Sequence, residues 1–206
     1  MVTQKESDSQ IAESYRAILT TIKHVAFDHG KKVVLVTSPM PGEGKSSIAM
    51  NLAILSAQAG HRVLLMDGDL RRPNLHFYMD MPNRSGLSTI LSGFTEPEQA
   101  CTGSSVDRLD LLPAGPIQSR PAELIGSSRM ERLIEHCTAR YDILFIDSPP
   151  LLMVTDAMLL ARVSDSIILV TRAGMTTKQH IARAHAMMEP FRDKVVGMIF
   201  NGADER

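Results

Sequence analysis

The sequence predicts an α/β fold with a doubly wound, mostly parallel sheet and helices on both faces. Two observations lead there. Apolar, β-branched runs alternate along the chain with segments of helical periodicity, and continuous runs of this kind are strands buried on both faces. Three of these runs also stop at groups suited to phosphate or cation binding. Ligands of such sheets sit outside the carboxyl ends of the strands.

The elements follow in order. Ile11, Tyr15, Ile18, Leu19, Ile22, Val25 and Ala26 recur at helical spacing, which predicts an amphipathic helix over 11–27. Asp28-His29-Gly30 ends it, with Gly30 as a helix C-cap. Residues 32–37 predict a short buried strand and 46–59 a helix closed by Gly60. Residues 62–66 predict the next strand. The stretch 71–107 reads as irregular, with short helical pieces around 87–92. Strands are expected at 109–112, 142–146, 166–171 and 195–201, and helices at 122–139, 156–162 and 177–191.

Composition bounds the chemistry. The 206 residues are 44% hydrophobic and 22% charged, which suits one globular domain carrying an N-terminal helix. A net charge of −1 gives no bias toward nucleic acid. The basic residues among 178–194 are diluted by Glu189 and Asp193 and read as a solvated face. Cys101 and Cys137 have no metal-ligand spacing and read as reduced thiols of a cytosolic protein. No apolar run approaches the roughly 18 residues that span a bilayer, and the first ten residues lack the apolar stretch of a signal peptide. Membrane association is therefore expected only through a partner.

The first motif is Ser38-Pro39-Met40-Pro41-Gly42-Glu43-Gly44-Lys45-Ser46-Ser47, between a predicted strand and a predicted helix. Successive backbone N–H groups there can cradle phosphate oxygens, helped by the helix N-terminus. Gly42 and Gly44 admit close approach, Lys45 places a charge on the β- and γ-phosphates, and the Ser46 hydroxyl reaches Mg²⁺. Pro39 occupies the position of the first glycine in the strict pattern, so this motif alone also fits a plain Gly-Lys-Ser helix cap. The second motif is the run 63–66 ending in Asp67-Gly68-Asp69-Leu70-Arg71. Carboxylates at i and i+2 on an extended strand point the same way, suited to holding a cation or accepting a proton. A solvated Asp-Gly turn does not explain the apolar strand that runs straight into both. The third is the run 143–146 ending in Asp147-Ser148-Pro149-Pro150, a Walker B arrangement in which the carboxylate holds Mg²⁺ directly or through water. Together the three predict nucleotide binding on a P-loop.

With these motifs read, the chain resembles the bacterial tyrosine kinases of capsule and exopolysaccharide loci, which use a P-loop of the MinD/ParA kind. The resemblance runs from about Glu13 to Asn201. Its most specific element is Asp67-x-Asp69-x-Arg71 after an apolar strand. Pro41-Gly42-Glu43-Gly44-Lys45-Ser46 resembles the family's phosphate loop, and Arg120-Pro121-Ala122-Glu123-Leu124 its Asn-Pro-Ser-Glu-Leu segment. Met40 stands where MinD- and ParA-type switches carry a lysine, which favours the kinase branch. The resemblance implies a protein-tyrosine kinase that uses Mg²⁺ and ATP, with Lys45, Asp67 and Asp69 catalytic. It implies ATP contacts from Pro41, Gly42, Glu43, Gly44, Lys45, Ser46, Ser47 and, on resemblance alone, Asn201. Mg²⁺ ligands would be Ser46, Asp67, Asp69 and Asp147. Arg71 either steadies transferred charge or pairs with a carboxylate.

The same resemblance divides the chain into an N-terminal helix for oligomerisation, 1–30, and a P-loop ATP-binding kinase domain, 31–206. The implied partners are a membrane-embedded polysaccharide co-polymerase or activator, further copies of the chain, and a tyrosine in another chain or segment; nucleic acid is not among them. The implied location is cytoplasmic, at the inner face of the plasma membrane through that partner. Two departures stand out. The family's ring-forming Glu-x-x-Arg-x-x-Arg reads Glu13-Ser14-Tyr15-Arg16-Ala17-Ile18-Leu19 here, and the only tyrosines are Tyr15, Tyr78 and Tyr141, with no tyrosine cluster after Asn201. The alternative is a MinD/ParA-like ATPase switch without kinase activity.

Overall fold

The computed structural model describes residues 10–203. Its elements are α1 (Gln10–Val25), β1 (Val33–Thr37), α2 (Lys45–Gln58), β2 (Val63–Asp67), α3 (Leu75–Tyr78), α4 (Leu87–Leu91), α5 (Pro97–Ala100), β3 (Thr102–Gly103), β4 (Leu109–Leu112), α6 (Pro121–Ile125), α7 (Ser128–Arg140), β5 (Ile143–Asp147), α8 (Asp156–Val163), β6 (Ser166–Arg172), α9 (Lys178–Met188) and β7 (Val195–Asn201). The strands form one sheet in the order β3-β4-β2-β5-β1-β6-β7, parallel throughout except for β3 against β4. This is the doubly wound α/β architecture read from the sequence.

The alternation of side chains along each strand builds two cores. Val33, Leu35, Leu64, Met66, Leu144 and Ile146 face the layer that holds α7 and α8. Val34, Val36, Val63, Leu65, Ile143 and Phe145 face α2, whose Ile48, Leu52 and Ile54 fill the space beneath them. Because both faces are covered, every residue of β1, β2 and β5 is buried. The outer surface of α2 is covered in turn by α1 through Tyr15, Ile18, Leu19 and Ile22. Leu19, where the family's second ring arginine is expected, packs partly buried on this core. Glu13 and Arg16 pair with each other at 2.8 Å on the exposed side of the helix. Among the described residues no helix is long and apolar enough to cross a membrane.

Several boundaries differ from expectation. The segment 122–139 is two helices. Gly126 caps the first through its N–H to the Ala122 carbonyl at 2.9 Å, and Ser127 then turns extended to start the second. The irregular stretch holds the two-residue edge strand β3, too short to show any periodicity. The last helix stops at Met188. Pro190 follows it, and a 3₁₀ segment (Glu189–Lys194) with non-helical Phe191 carries the chain into β7. The first nine residues of the predicted N-terminal segment lie outside the described residues.

Candidate functional site

β1, β2 and β5 lie side by side, and the three sequence motifs meet at their carboxyl ends. Asp67 and Asp147 are direct partners in the β2–β5 register, and Val36 of β1 pairs with Asp147 from the other side. Lys45, the first residue of α2, brings its Nζ to 3.8 Å from Asp147 Oδ1 and 3.3 Å from Ser46 Oγ. The structure therefore joins Lys45, Ser46, Asp67, Asp69 and Asp147 in one cluster.

Asp69 arrives differently from the sequence expectation. The strand ends at Asp67, so the two carboxylates are not set by a strand's pleat. The chain turns at Gly68, whose N–H donates to the Asp147 carbonyl at 2.7 Å, and a Cβ there would lie 2.9 Å from that oxygen. Glycine is needed for this close approach. Beyond it, the Asp69 N–H donates to Asp67 Oδ1 at 3.2 Å, an Asx turn that folds Asp69 back toward the lysine.

The three carboxylates do different work. Asp67 is fully buried and accepts three backbone N–H bonds: Asp69 on Oδ1, and Asn74 and Leu75 at 3.1 Å on Oδ2. It thus ties the strand end to the start of α3. Burial, reinforced by the nearby charge of Asp147, pushes its carboxyl up to about 7. Asp147 is pushed up to about 6 by burial, with Lys45 pulling the other way. Its Oδ1 is buried and has no hydrogen-bond partner. Asp69 is raised by burial, opposed by the N–H of Arg72. It accepts from the N–H groups of Arg71 and Arg72 on Oδ1 alone.

Arg71 resolves to the second of its two sequence readings. Its guanidinium grips Asp156 with two bonds, Nε to Oδ2 at 2.8 Å and Nη2 to Oδ1 at 3.0 Å. Asp156 begins α8 and its side chain is wholly buried.

The phosphate loop runs from the end of β1 into α2. Gly42 and Gly44 take positive φ, +81° and +96°, as a loop with inward-turned amides requires. A Cβ on Gly44 would lie 2.2 Å from Asn201 Nδ2. Glu43 is fully buried, and its carboxylate serves the loop itself: Oε2 accepts the Met40 N–H at 2.7 Å and Oε1 accepts from the Thr176 hydroxyl. Asn201, at the end of β7, donates Nδ2 to the Glu43 carbonyl at 3.0 Å. Arg172 donates Nη1 to the Gly42 carbonyl at 2.9 Å. Pro41 and Ser47 flank these residues in the loop and the first turn of α2.

Arg172, Thr176 and Asp156 escaped the sequence reading. Each is more than 80 residues from the motif it supports, and none sits in a pattern with chemical meaning. For Asp156 the sequence trace was Arg71, which could pair with a carboxylate; Arg172 and Thr176 left none.

Known proteins match this chain over nearly its whole length. The family model described as "ParA: NUBPL iron-transfer P-loop NTPase" matches residues 29–204. The tyrosine-protein kinase YwqD of Bacillus subtilis (strain 168) is 40% identical over 202 residues, covering 98% of this chain and 85% of that protein. The solved BceF tyrosine kinase domain is 37% identical with a TM-score of 0.91, covering 98% of this chain and 82% of that one. The septum site-determining protein MinD of Pyrococcus horikoshii, solved with Mg-ADP, has a TM-score of 0.71 over 84% of this chain and 72% of its own; at 22% identity it shares the fold alone.

Proposed function

Because this chain belongs to the bacterial tyrosine kinases built on the ParA-type P-loop fold, we propose that its strand-end cluster transfers the γ-phosphate of Mg-ATP to a tyrosine hydroxyl. The observation that carries this reading is the convergence of Lys45, Ser46, Asp67, Asp69 and Asp147 beside a glycine loop. The relatives at 40% and 37% identity are tyrosine kinases, whereas the MinD likeness is one of fold, which favours transfer over an ATPase switch.

Phosphoryl transfer asks for positioning and charge neutralisation more than for covalent chemistry. The amides of residues 42–46 cradle the phosphates, and Lys45 sets its charge against the β- and γ-oxygens. The donor set fits Mg²⁺: a hydroxyl at Ser46, carboxylates at Asp67, Asp69 and Asp147, and an orphaned buried oxygen, Asp147 Oδ1, beside them. Bound there, Mg²⁺ supplies neutralisation of the charge that develops on the transferring group. Asp67 spends both oxygens on three amides, so its share is to hold the strand end and add charge. Asp69 keeps Oδ2 clear of such bonds and is the better proton acceptor. The tyrosine O–H gives its proton to Asp69, the phenolic oxygen bonds to the γ-phosphorus, and the β–γ bridging oxygen leaves with ADP. A phenol's pKa near 10 makes a carboxylate a weak base, which a loose transition state tolerates.

The acceptor tyrosine lies in another chain or segment. The N-terminal helix joins copies of the chain, and a membrane-embedded activator of polysaccharide export places it on the cytoplasmic face of the membrane. The Glu13–Arg16 pair lies on the exposed side of the helix, where such contacts can reach it.

The test is incubation with γ-labelled ATP and Mg²⁺ and a tyrosine-bearing copolymer, with and without the cytoplasmic segment of an activator. Phosphotyrosine that disappears in Lys45→Met is the expected result. ATP hydrolysis with no phosphotyrosine on any protein would overturn the kinase reading.

A further inference from the structure

A phosphate loop works by turning its N–H groups inward, which turns its carbonyls outward, and each of those needs a partner on the far side. In this chain the outward partners come from the ends of β6 and β7. The Gly42 carbonyl accepts from Arg172 Nη1 at 2.9 Å, and the Glu43 carbonyl accepts from Asn201 Nδ2 at 3.0 Å. The Asn201 carbonyl in turn accepts the Ala173 N–H at 2.9 Å, which ties the two segments to each other. The Met40 carbonyl is taken inside the loop by Ser38 Oγ at 2.8 Å.

Thr176 sits where these ties cross. Its hydroxyl donates to Glu43 Oε1 and accepts the Arg172 N–H at 2.7 Å. It therefore fixes the backbone from which the Arg172 guanidinium reaches the loop. It also completes the hydrogen bonding of a fully buried carboxylate whose other oxygen holds the Met40 N–H. A buried carboxylate with a missing partner is costly, so this side chain does not simply drift away from the contact.

We propose that Thr176 and Arg172 are positioning residues that hold the phosphate loop in its nucleotide-receptive shape through Glu43 and the Gly42 carbonyl. The proposal rests on the reading of this loop as the nucleotide site. Loop shape is set before nucleotide arrives, so loosening it weakens ground-state and transition-state binding together. That pattern raises KM and leaves kcat nearly unchanged.

The test compares wild type, Thr176→Val, Thr176→Ser and Arg172→Met by calorimetric titration with ATP and Mg²⁺, by steady-state kinetics, and by hydrogen exchange of the loop amides without ligand. Thr176→Val keeps the shape and removes the hydroxyl. It is expected to weaken ATP by about tenfold, raise KM by the same factor, and speed exchange at residues 40–45 selectively. Thr176→Ser restores the hydroxyl and is expected to bind within about twofold of wild type. Arg172→Met leaves Glu43 satisfied, so it reads the loop tie even where Thr176→Val is too unstable to purify. ATP affinity unchanged in both Thr176→Val and Arg172→Met overturns the proposal, as does equal weakening in Thr176→Val and Thr176→Ser. Wild type that takes up no ATP at all would instead sink the nucleotide reading itself.

Discussion

β5 carries an aspartate at each end, and the two have opposite electrostatics. Asp142, immediately before the strand, is held down to about 2, first by the Arg62 guanidinium at 2.9 Å and then by the Arg62 N–H. Asp147, its last residue, is pushed up to about 6 by burial, with Lys45 3.8 Å away. One residue type sits on one strand five positions apart. At the base the charge is half exposed and matched by a partner. At the top, three buried or nearly buried carboxylates share one lysine. The difference teaches that the top of the sheet is not built for its own stability: its three clustered carboxylates suit a bound cation better than they suit the unliganded fold.

Substitutions at the two ends sharpen or break this contrast. The largest effect is expected from Lys45→Met, which removes the charge set against the γ-phosphate. Transfer to a tyrosine copolymer falls by about 100-fold or more, while circular dichroism shows the fold kept. Asp67→Asn also loses transfer, and because its amide keeps only one acceptor oxygen it cannot hold all three backbone N–H groups that Asp67 accepts. Wild-type transfer in either variant removes that residue from the mechanism.

Next in size is Arg71→Ala. Asp156 has no exposed side-chain surface and loses its charge partner. The cost measured by urea unfolding is about 3 kcal/mol, at the low end for a broken buried pair because Arg71 itself is 41% exposed. Arg62→Ala at the base is the control and the smallest effect. That pair is 60% and 40% exposed, so solvent screens it and the urea midpoint should barely move, with transfer unchanged. Equal costs for the two arginines would show that burial does not separate them.

Much of this was legible in the sequence. Apolar runs ending in Asp67, Asp147 and the 42–46 loop fixed which strand ends matter, because strand burial and ligand position follow from the same topology. The helix break at Gly126-Ser127 and the edge strand Thr102–Gly103 were not, since each turns on one or two residues. The division of labour among the carboxylates was hidden as well. Nothing local says that Asp67 spends its oxygens on Asn74 and Leu75, or that the Glu43 carboxylate accepts from Thr176. Those roles depend on contacts across 7 to 133 residues of chain.

The most direct measurement is the melting temperature of the unliganded protein between pH 5 and 7.5, with and without excess Mg-ATP, for wild type and Asp147→Asn. Asp67 and Asp147 keep their protons in the folded state up to about 7 and about 6, well above their ordinary 3.8. The unfolded chain releases these protons first as pH rises, so stability falls from about pH 4 through pH 7. Asp142 acts in the opposite sense only at lower pH, between its folded value of about 2 and its ordinary 3.8. Wild type should therefore melt lower at pH 7.5 than at pH 5, Asp147→Asn should flatten the slope, and Mg-ATP should erase it. A wild-type melting temperature that holds level or rises across that window, and that Mg-ATP does not shift, would contradict a site strained by its own carboxylates.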